Sequence, residues 1–489
     1  MKKIMIISLG VLLSVVALGQ NETDALRYSF LMNSGTARFS AMGGSFSALG
    51  ADFSVLSTNP AGIGMYRTSE VMFSPGISFT GTKSTYNGTT GEDSKAAFTI
   101  PNMGMVFTGD LSTSSGKPEW KAVQFGFGVN RLADFNSSYF MRGDNTSNSI
   151  LDVYQYTAEG HDYNNLNSFD TELAWNTWLL DTLVGNPTSY TTAVDGGVMQ
   201  QKSITTSGGI SEMVLSLGGN YNDKFYLGAT LGFPFLRYNE DAYYKESDQG
   251  DSLAGFNSLA VNDELNTTGA GFNFKLGMIY RITDWVRISA AIHTPTFYDM
   301  HDTYSRVMRS DLETATYESR SPQGVYDYRL STPMRMMGGI AFVIGKKGVV
   351  SAEYEMVDYS QAKLRATDPM YDFFDANEAV STNYTVANNF KVGTEWILAP
   401  FAIRAGYSYY GSPYANSLND MSTQNISGGF GIRENNYYID LTYVHTMRSE
   451  DYYLYDPTII GNMGMTLNPV KSDITRGSFI ITMGVKFGS

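Results

Sequence analysis

The histidines are the first side chains to consider for chemistry, because the chain contains no cysteine that could act as a nucleophile or a thiolate ligand. A catalytic or metal-binding pair needs a second histidine or an acid at a defined spacing. No such spacing links any two of the four histidines, which are His161, His293, His301 and His445. We therefore expect no enzyme, with no catalytic residue and no cofactor.

A second group that could bind an ion is an acidic run between two predicted strands. It comprises Glu240, Asp241, Glu246, Asp248 and Asp251. Such a run can bind Ca²⁺, but a solvated loop is the commoner explanation, and we predict no metal site. The whole chain has a net charge of −14, which argues against a nucleic-acid partner.

The first residues indicate export. Lys2 and Lys3 precede an apolar run from Ile4 to Leu18, and small residues close the run at Gly19. At about fifteen residues the run is short for a membrane-spanning helix, which needs about twenty. Residues 1–19 are therefore predicted to be a signal peptide, and any membrane span must be built from strands.

The rest of the chain, from residue 67 to residue 489, alternates apolar and polar residues with the period of a β-strand. The last strand places Phe479, Ile481 and Met483 on one face and smaller or polar residues on the other. Short turns alternate with long polar gaps, of which residues 137–203 are the longest. Alternating short and long connections are typical of bacterial outer-membrane barrels. The pattern predicts an all-β protein: a transmembrane antiparallel β-barrel of about fourteen strands.

The segment before these strands has a different composition. Small residues dominate Ala37 to Ala51, which lets backbone pack closely against backbone, as a plug in a narrow barrel requires. The tetrapeptide Asn59, Pro60, Ala61 and Gly62 follows, and it matches a type I turn.

This order of a small-residue segment, an Asn-Pro-Ala-Gly turn and then barrel strands resembles the FadL/TodX family of outer-membrane transporters for hydrophobic compounds. Blocks such as Leu330 to Phe342 and Phe390 to Pro413 are similar to the family's strand and turn pattern. The resemblance implies that residues 20–66 form a hatch inside the barrel, with Asn59 to Gly62 at its turn. It also implies an inward kink in the third strand, for which Gly126 and Gly128 are the candidates; the alternative is that both are ordinary barrel glycines.

The longest gap contains a predicted helix, Thr171 to Val184. Trp175, Trp178, Leu179 and Leu183 share one face at helical spacing, and this face could capture an apolar ligand. The alternative is that the face packs on the barrel rim.

The sequence thus predicts an outer-membrane channel for passive uptake of hydrophobic small molecules, with fatty acids or aromatic hydrocarbons as the substrates that the resemblance implies. Its expected partners are the substrate, outer-membrane lipid and, during biogenesis, the barrel-assembly machinery. The alternatives are a structural or adhesive barrel whose loops bind a surface partner, and a porin for polar solutes.

Overall fold

The computed structural model describes residues 21–111, 119–194, 197–250, 252–345, 347–368, 372–415 and 419–488. The predicted signal peptide, residues 1–19, lies outside the described residues.

Short helices precede the strands and lie in the long connections between them. The α-helices are α1 (Glu22–Ser29), α2 (Ala37–Ala41), α3 (Ile150–Ala158), α4 (Thr171–Asn176), α5 (Phe374–Asn383) and α6 (Pro457–Asn462). The 3₁₀-helices are η1 (Phe53–Ser57), η2 (Pro60–Met65), η3 (Tyr163–Asn165) and η4 (Tyr359–Gln361). None of the helices in the described residues is long and apolar enough to cross a membrane.

Strands make up most of the chain. They are β1 (Ser69–Tyr86), β2 (Thr89–Asp110), β3 (Trp120–Asp134), β4 (Ser137–Asn145), β5 (Leu180–Leu183), β6 (Asn186–Thr192), β7 (Val198–Tyr221), β8 (Phe225–Ser247), β9 (Phe256–Arg281), β10 (Val286–His293), β11 (Phe297–Leu312), β12 (Thr316–Arg320), β13 (Gly324–Ser331), β14 (Arg335–Ile344), β15 (Gly348–Asp358), β16 (Lys363–Ala366), β17 (Val386–Leu398), β18 (Phe401–Tyr410), β19 (Thr423–Arg433), β20 (Tyr437–Tyr452) and β21 (Val470–Phe487).

All of these strands except the hairpin β5–β6 belong to one antiparallel sheet, which closes where β1 pairs with β21. Four positions in the wall are each filled by two consecutive strands, β3 with β4, β10 with β11, β13 with β14 and β15 with β16, and β12 is an extra strand added to β11. The wall therefore has fourteen strands, and the predicted barrel is confirmed.

An apolar band surrounds the lower part of this wall. On β8 the outward side chains run from Phe225 through Leu231 to Phe235, and the next two on the same face are Arg237 and Asn239. Such a stretch of about 9–11 residues is what a tilted strand needs to cross the hydrocarbon layer. A closed barrel with this outer band is the architecture of bacterial outer-membrane proteins, so the protein is an outer-membrane barrel.

The strands continue far beyond the band, and the longest predicted gap is wrong in its bounds. The gap predicted at residues 137–203 begins in β4 and ends in β7, and β1 and β2 continue as a hairpin up to a tight turn at Asn87 and Gly88. Outside the membrane both faces of a strand can be polar, so the alternation that marks a strand disappears although the ladder continues.

The outward face of β8 offers a test of the band. Leu231→Arg should lower the free energy of unfolding by about 2–4 kcal/mol, because it places a charge near the middle of the bilayer. Tyr243→Arg, on the same face of the same strand but beyond the band, should cost about 0–1 kcal/mol. Urea titration of the protein in phospholipid vesicles measures both, and equal losses would place the membrane elsewhere on the wall.

Candidate functional site

The N-terminal segment, residues 21–66, lies against the inner face of the wall. Asn59 caps η2 and is fully buried. Its Oδ1 accepts from Ala61 N at 3.1 Å, and its Nδ2 donates to Ser47 O at 2.7 Å and to Met278 O of β9 at 3.3 Å. The predicted turn at Asn59 to Gly62 is therefore the start of a 3₁₀-helix, and the asparagine joins two parts of the segment to the wall.

Wall glycines face the N-terminal segment wherever its backbone approaches most closely. A Cβ on Gly228 would overlap Pro60 O, and a Cβ on Gly277 would overlap Asn59 Oδ1. The same overlap with residues 41–63 recurs around the barrel at Gly104, Gly126, Gly218, Gly339, Gly393, Gly406 and Gly429. These positions form what we call the glycine ring. A larger residue at Gly228, Gly406 or Gly429, where the overlap is with backbone or Cβ atoms, would push the segment away from the wall.

Side chains of the wall also donate hydrogen bonds to backbone carbonyls of the segment that have no partner in regular secondary structure. Thr442 Oγ1 donates to Ala37 O at 2.7 Å, Ser351 Oγ donates to Ser45 O at 2.7 Å, and Ser427 Oγ donates to Ala41 O at 3.0 Å. A buried carbonyl without such a donor would be costly. The inward hydroxyls therefore fix the path of the segment between its short helices.

One buried ion-pair chain fastens the middle of the segment. Arg38 of α2 donates to both carboxylate oxygens of Glu395, each at 2.8 Å. Arg404 bonds the same carboxylate and, through Nη1, reaches Asp440 at 2.7 Å. Arg433 also pairs with Asp440, so the nearly inaccessible charges of Arg404 and Asp440 are each balanced by two partners.

A cavity of about 1110 Å³ lies between the N-terminal segment and the strands that extend beyond the membrane. Its lining combines apolar and aromatic side chains with scattered charges; the former include Leu26, Phe30, Phe39, Phe135, Tyr384 and Tyr410. A volume of this order matches the upper range of small-molecule sites.

The cavity extends to a place where the wall has no backbone ladder. β2 pairs with β3 only from Asp110 to Asn102, which faces Asn130. Beyond that point the third wall strand pairs with β7 alone, and it is interrupted at residues 135–136 between β3 and β4. We call the unpaired stretch, residues 95–101 of β2 opposite 131–136, the wall break. Thr99, Pro101 and Asp134 in it line the cavity.

The predicted position of the third-strand kink is wrong. Gly126 and Gly128 pair without a shift on both sides, with β2 and with β7. Gly126 instead leaves room for Ile63 and Leu56 of the N-terminal segment, and Gly128 for Phe53. The bend lies further along, after a register shift between Arg131 and Ala133.

Prolines and side-chain bonds shape the wall break. Pro75 of β1 and Pro101 of β2 have no N–H to donate to a ladder and lie beside it. Arg476 holds the bent strand by donating from Nη2 to Asn136 O at 2.9 Å. Thr82 donates to Ser138 O at 2.7 Å, so side chains replace the missing backbone ladder at the inner surface.

The helix predicted from Thr171 to Val184 is also wrong in extent. α4 ends at Asn176, Trp178 has a positive φ of 58°, and Leu183 lies in β5. The four predicted side chains therefore do not share a face. Trp175 stacks on Tyr163 and, with Leu179, belongs to the core of the folded connection, whereas Trp178 and Leu183 are about half exposed.

Of the acidic run, Asp251 lies outside the described residues, and two of the others bind neighbouring donors. Glu246 accepts from Ile150 N and Tyr244, and Asp248 accepts from three backbone amides of its own turn. Among the described residues no group of histidines and acids is arranged to hold a metal ion.

Comparison with known proteins shows which solved structures have a similar fold. No protein-family model matches the chain, and no curated protein sequence matches it significantly. Among solved structures it resembles a FadL homologue from Pseudomonas aeruginosa, with a TM-score of 0.58, 12% identity and coverage of 94% of this chain and 100% of that one. It also resembles the toluene transporter TodX of P. putida, with a TM-score of 0.54, 13% identity and 93% and 99% coverage. The toluene transporter TbuX of Ralstonia pickettii follows, with a TM-score of 0.51, 14% identity and 93% and 99% coverage. The predicted resemblance is thus confirmed for the fold.

Adjacent glycines on β19 test whether the glycine ring seats the N-terminal segment. A Cβ on Gly429 would lie 2.6 Å from Ala41 Cβ, whereas a Cβ on the outward Gly428 would have no neighbour closer than 3.8 Å. Gly429→Val should therefore expose residues 37–45 to protease while the barrel keeps its heat-dependent gel shift. Gly428→Val is the matched control and should match the native protein in both assays. If residues 37–45 were equally protected from protease in the two variants, the close approach of Ala41 to Gly429 would not be what seats the segment.

Two tryptophans in the folded connection have different environments. Trp175→Ala should lower the local stability by about 1–3 kcal/mol, because it removes a packed ring, and should speed proteolysis of residues 150–194. Trp178→Ala should leave proteolysis unchanged, because more than half of that side chain is exposed. Equal sensitivity in the two variants would contradict the packing described.

Proposed function

We propose that the protein is an outer-membrane channel for the passive uptake of small hydrophobic molecules, in which the N-terminal segment acts as a hatch. The observation that carries this proposal is the cavity that reaches the wall break. An apolar molecule in the cavity would need to cross only side-chain contacts, and no backbone ladder, to leave the barrel sideways.

The position of the wall break relative to the apolar band supports a lateral route. Outward side chains of β2 on either side of Asn102 are apolar and exposed, among them Met103, Ile100 and Phe98. The break therefore lies within the height of the band, and it would open onto lipid. An apolar ligand gains from entering lipid there, since it never has to be hydrated on the inner side.

The N-terminal segment closes the alternative path down the barrel axis. Its residues from Ala37 to Gly64 are almost all buried, and Gly218, Gly228 and Gly277 let η2 pack directly on β7, β8 and β9. This filling argues against a porin for polar solutes, which needs a continuous aqueous path.

The fold comparison supports the same function class. The FadL homologue and the toluene transporters TodX and TbuX share the barrel over nearly their whole lengths. Exposed Trp178 and the apolar hairpin tip at Leu183 and Val184 offer a first contact for an apolar ligand outside the membrane. They would serve equally as a surface for a binding partner, which is the adhesive alternative.

A test of the lateral route uses Ser78, which lines the cavity beside the wall break and has a buried hydroxyl without a partner among the described residues. Ser78→Trp should fill the passage and reduce uptake of a radiolabelled hydrocarbon to the level of cells that lack the protein. Ser78→Ala, which removes the hydroxyl without adding bulk, should transport normally.

Both variants must first show the native heat-dependent gel shift. Normal uptake by folded Ser78→Trp would overturn the lateral route. Normal uptake by cells that lack the protein altogether would overturn the transport function and favour the adhesive alternative.

A further inference from the structure

The charges that line the cavity follow a consistent pattern. Within the described residues its lining contains four cationic side chains, Arg27, Lys391, Arg448 and Arg476. Each of them already has an acidic partner, and the partner of Arg476, Asp134, is shared with Arg131 just outside the lining. A ligand that enters the cavity therefore meets no cation that lacks an acidic partner.

The partners are close; one pair lies deep in the wall, and a second lies on α1 of the N-terminal segment. Lys391 Nζ is 2.9 Å from Glu353 and 3.4 Å from Glu355, and all three side chains are buried. Arg27 pairs with Asp24 one helical turn away and also lies over the ring of Tyr238 at 4.4 Å.

The other two pairs lie nearer the wall break and the outer strands. Arg448 Nη2 is 3.1 Å from Glu450 Oε2. Arg476 Nη1 is 3.7 Å from Asp134 Oδ1, and the remaining donors of this arginine go to Thr80 and to Asn136 O.

Acids exceed bases in the same lining. Glu22, Glu240, Asp451 and Asp456 line the cavity and have no cation within ion-pair distance among the described residues. With the paired Asp134 and Glu450, the lining has six acids against four bases. A negative ligand would thus be repelled as well as unpaired.

We propose that the cavity selects uncharged apolar ligands and rejects anionic ones such as ionised fatty acids. This inference rests on the proposed transport function and narrows its substrate class. A carboxylate that leaves water needs a cation or several donors to replace its hydration, and otherwise its burial is strongly unfavourable. An uncharged molecule has no such requirement, and the aromatic side chains of the lining offer it ring faces for packing.

The first experiment compares two probes of equal chain length, 1-decanol and decanoate, at about pH 8, where the acid is ionised. Equilibrium binding to the purified protein in amphipol is measured for each. Decanol should bind at least about tenfold more tightly than decanoate, because only the latter buries an unpaired charge. Equal or tighter binding of decanoate would overturn the charge inference and leave the transport proposal intact. Binding of neither probe would overturn both.

A variant with an altered charge distinguishes selection by the cavity from simple partitioning of the probes into the amphipol. Glu450→Gln removes the partner of Arg448 and leaves an unbalanced cation beside the cavity, so decanoate binding should tighten about tenfold while decanol binding changes little. Glu22→Gln changes the net charge by the same amount but frees no cation, and should affect decanoate less.

Ratios for one probe across these variants do not depend on how the probe enters the amphipol. Both variants must keep the heat-dependent gel shift of the native barrel. Unchanged decanoate binding in folded Glu450→Gln would overturn the proposal, since the paired acid would then have no part in excluding anions.

Discussion

The close approach of the N-terminal segment to the wall is the constraint on which the rest of the structure depends. A fourteen-stranded barrel is wide enough to admit a folded segment only if that segment is thin and the wall carries no bulky side chain where the two come closest. The glycine ring meets the second condition, and the small residues of Ala37 to Ala51 meet the first. Once the segment is seated, its carbonyls need donors, and inward hydroxyls such as Thr442 and Ser351 supply them.

Because the N-terminal segment fills the lower barrel, it limits the positions that a ligand can occupy. With the axis blocked by η1, η2 and α2, the empty space that remains lies above them, where the strands extend past the membrane. The cavity is therefore bounded below by buried protein, and its wall is backbone-paired except at the wall break. The position of the bend, after Arg131, explains why the opening lies within the apolar band and outside the part of the wall that touches η2.

The sequence was informative where a physical rule has a local signature. The alternation of apolar and polar residues revealed the membrane-crossing strands, and the Asn-Pro-Ala-Gly sequence located the start of η2. Gly126 was noticed but misassigned, because a glycine that makes room for a neighbour and a glycine that permits a bend look identical in sequence. A signal was available: the glycines of the ring recur on neighbouring strands, whereas a kink needs only one strand. The real bend carries no glycine of its own; it is stabilised by Arg476, which is more than three hundred residues away in the sequence.

The extent of α4 was missed for a similar reason. The backbone at Trp178 has a positive φ, which is incompatible with a continuing α-helix, and the spacing of apolar residues carries no information about that backbone angle.

Differences in bonding strength around the barrel determine which part can open. Strands joined by a continuous ladder separate only if many backbone bonds break together, so the paired wall is rigid. At the wall break the contacts are single side-chain bonds, such as Lys95 to Thr206 O and Arg476 to Asn136 O, each with a net value of about 1.5–3 kcal/mol. Exchanging a few of these costs little compared with disturbing the ion-pair chain from Arg38 to Asp440, because that chain holds several buried charges that depend on one another. On the proposed lateral route, opening the wall break would cost less than unseating the N-terminal segment, and a ligand in the cavity would need no energy source beyond its own preference for lipid.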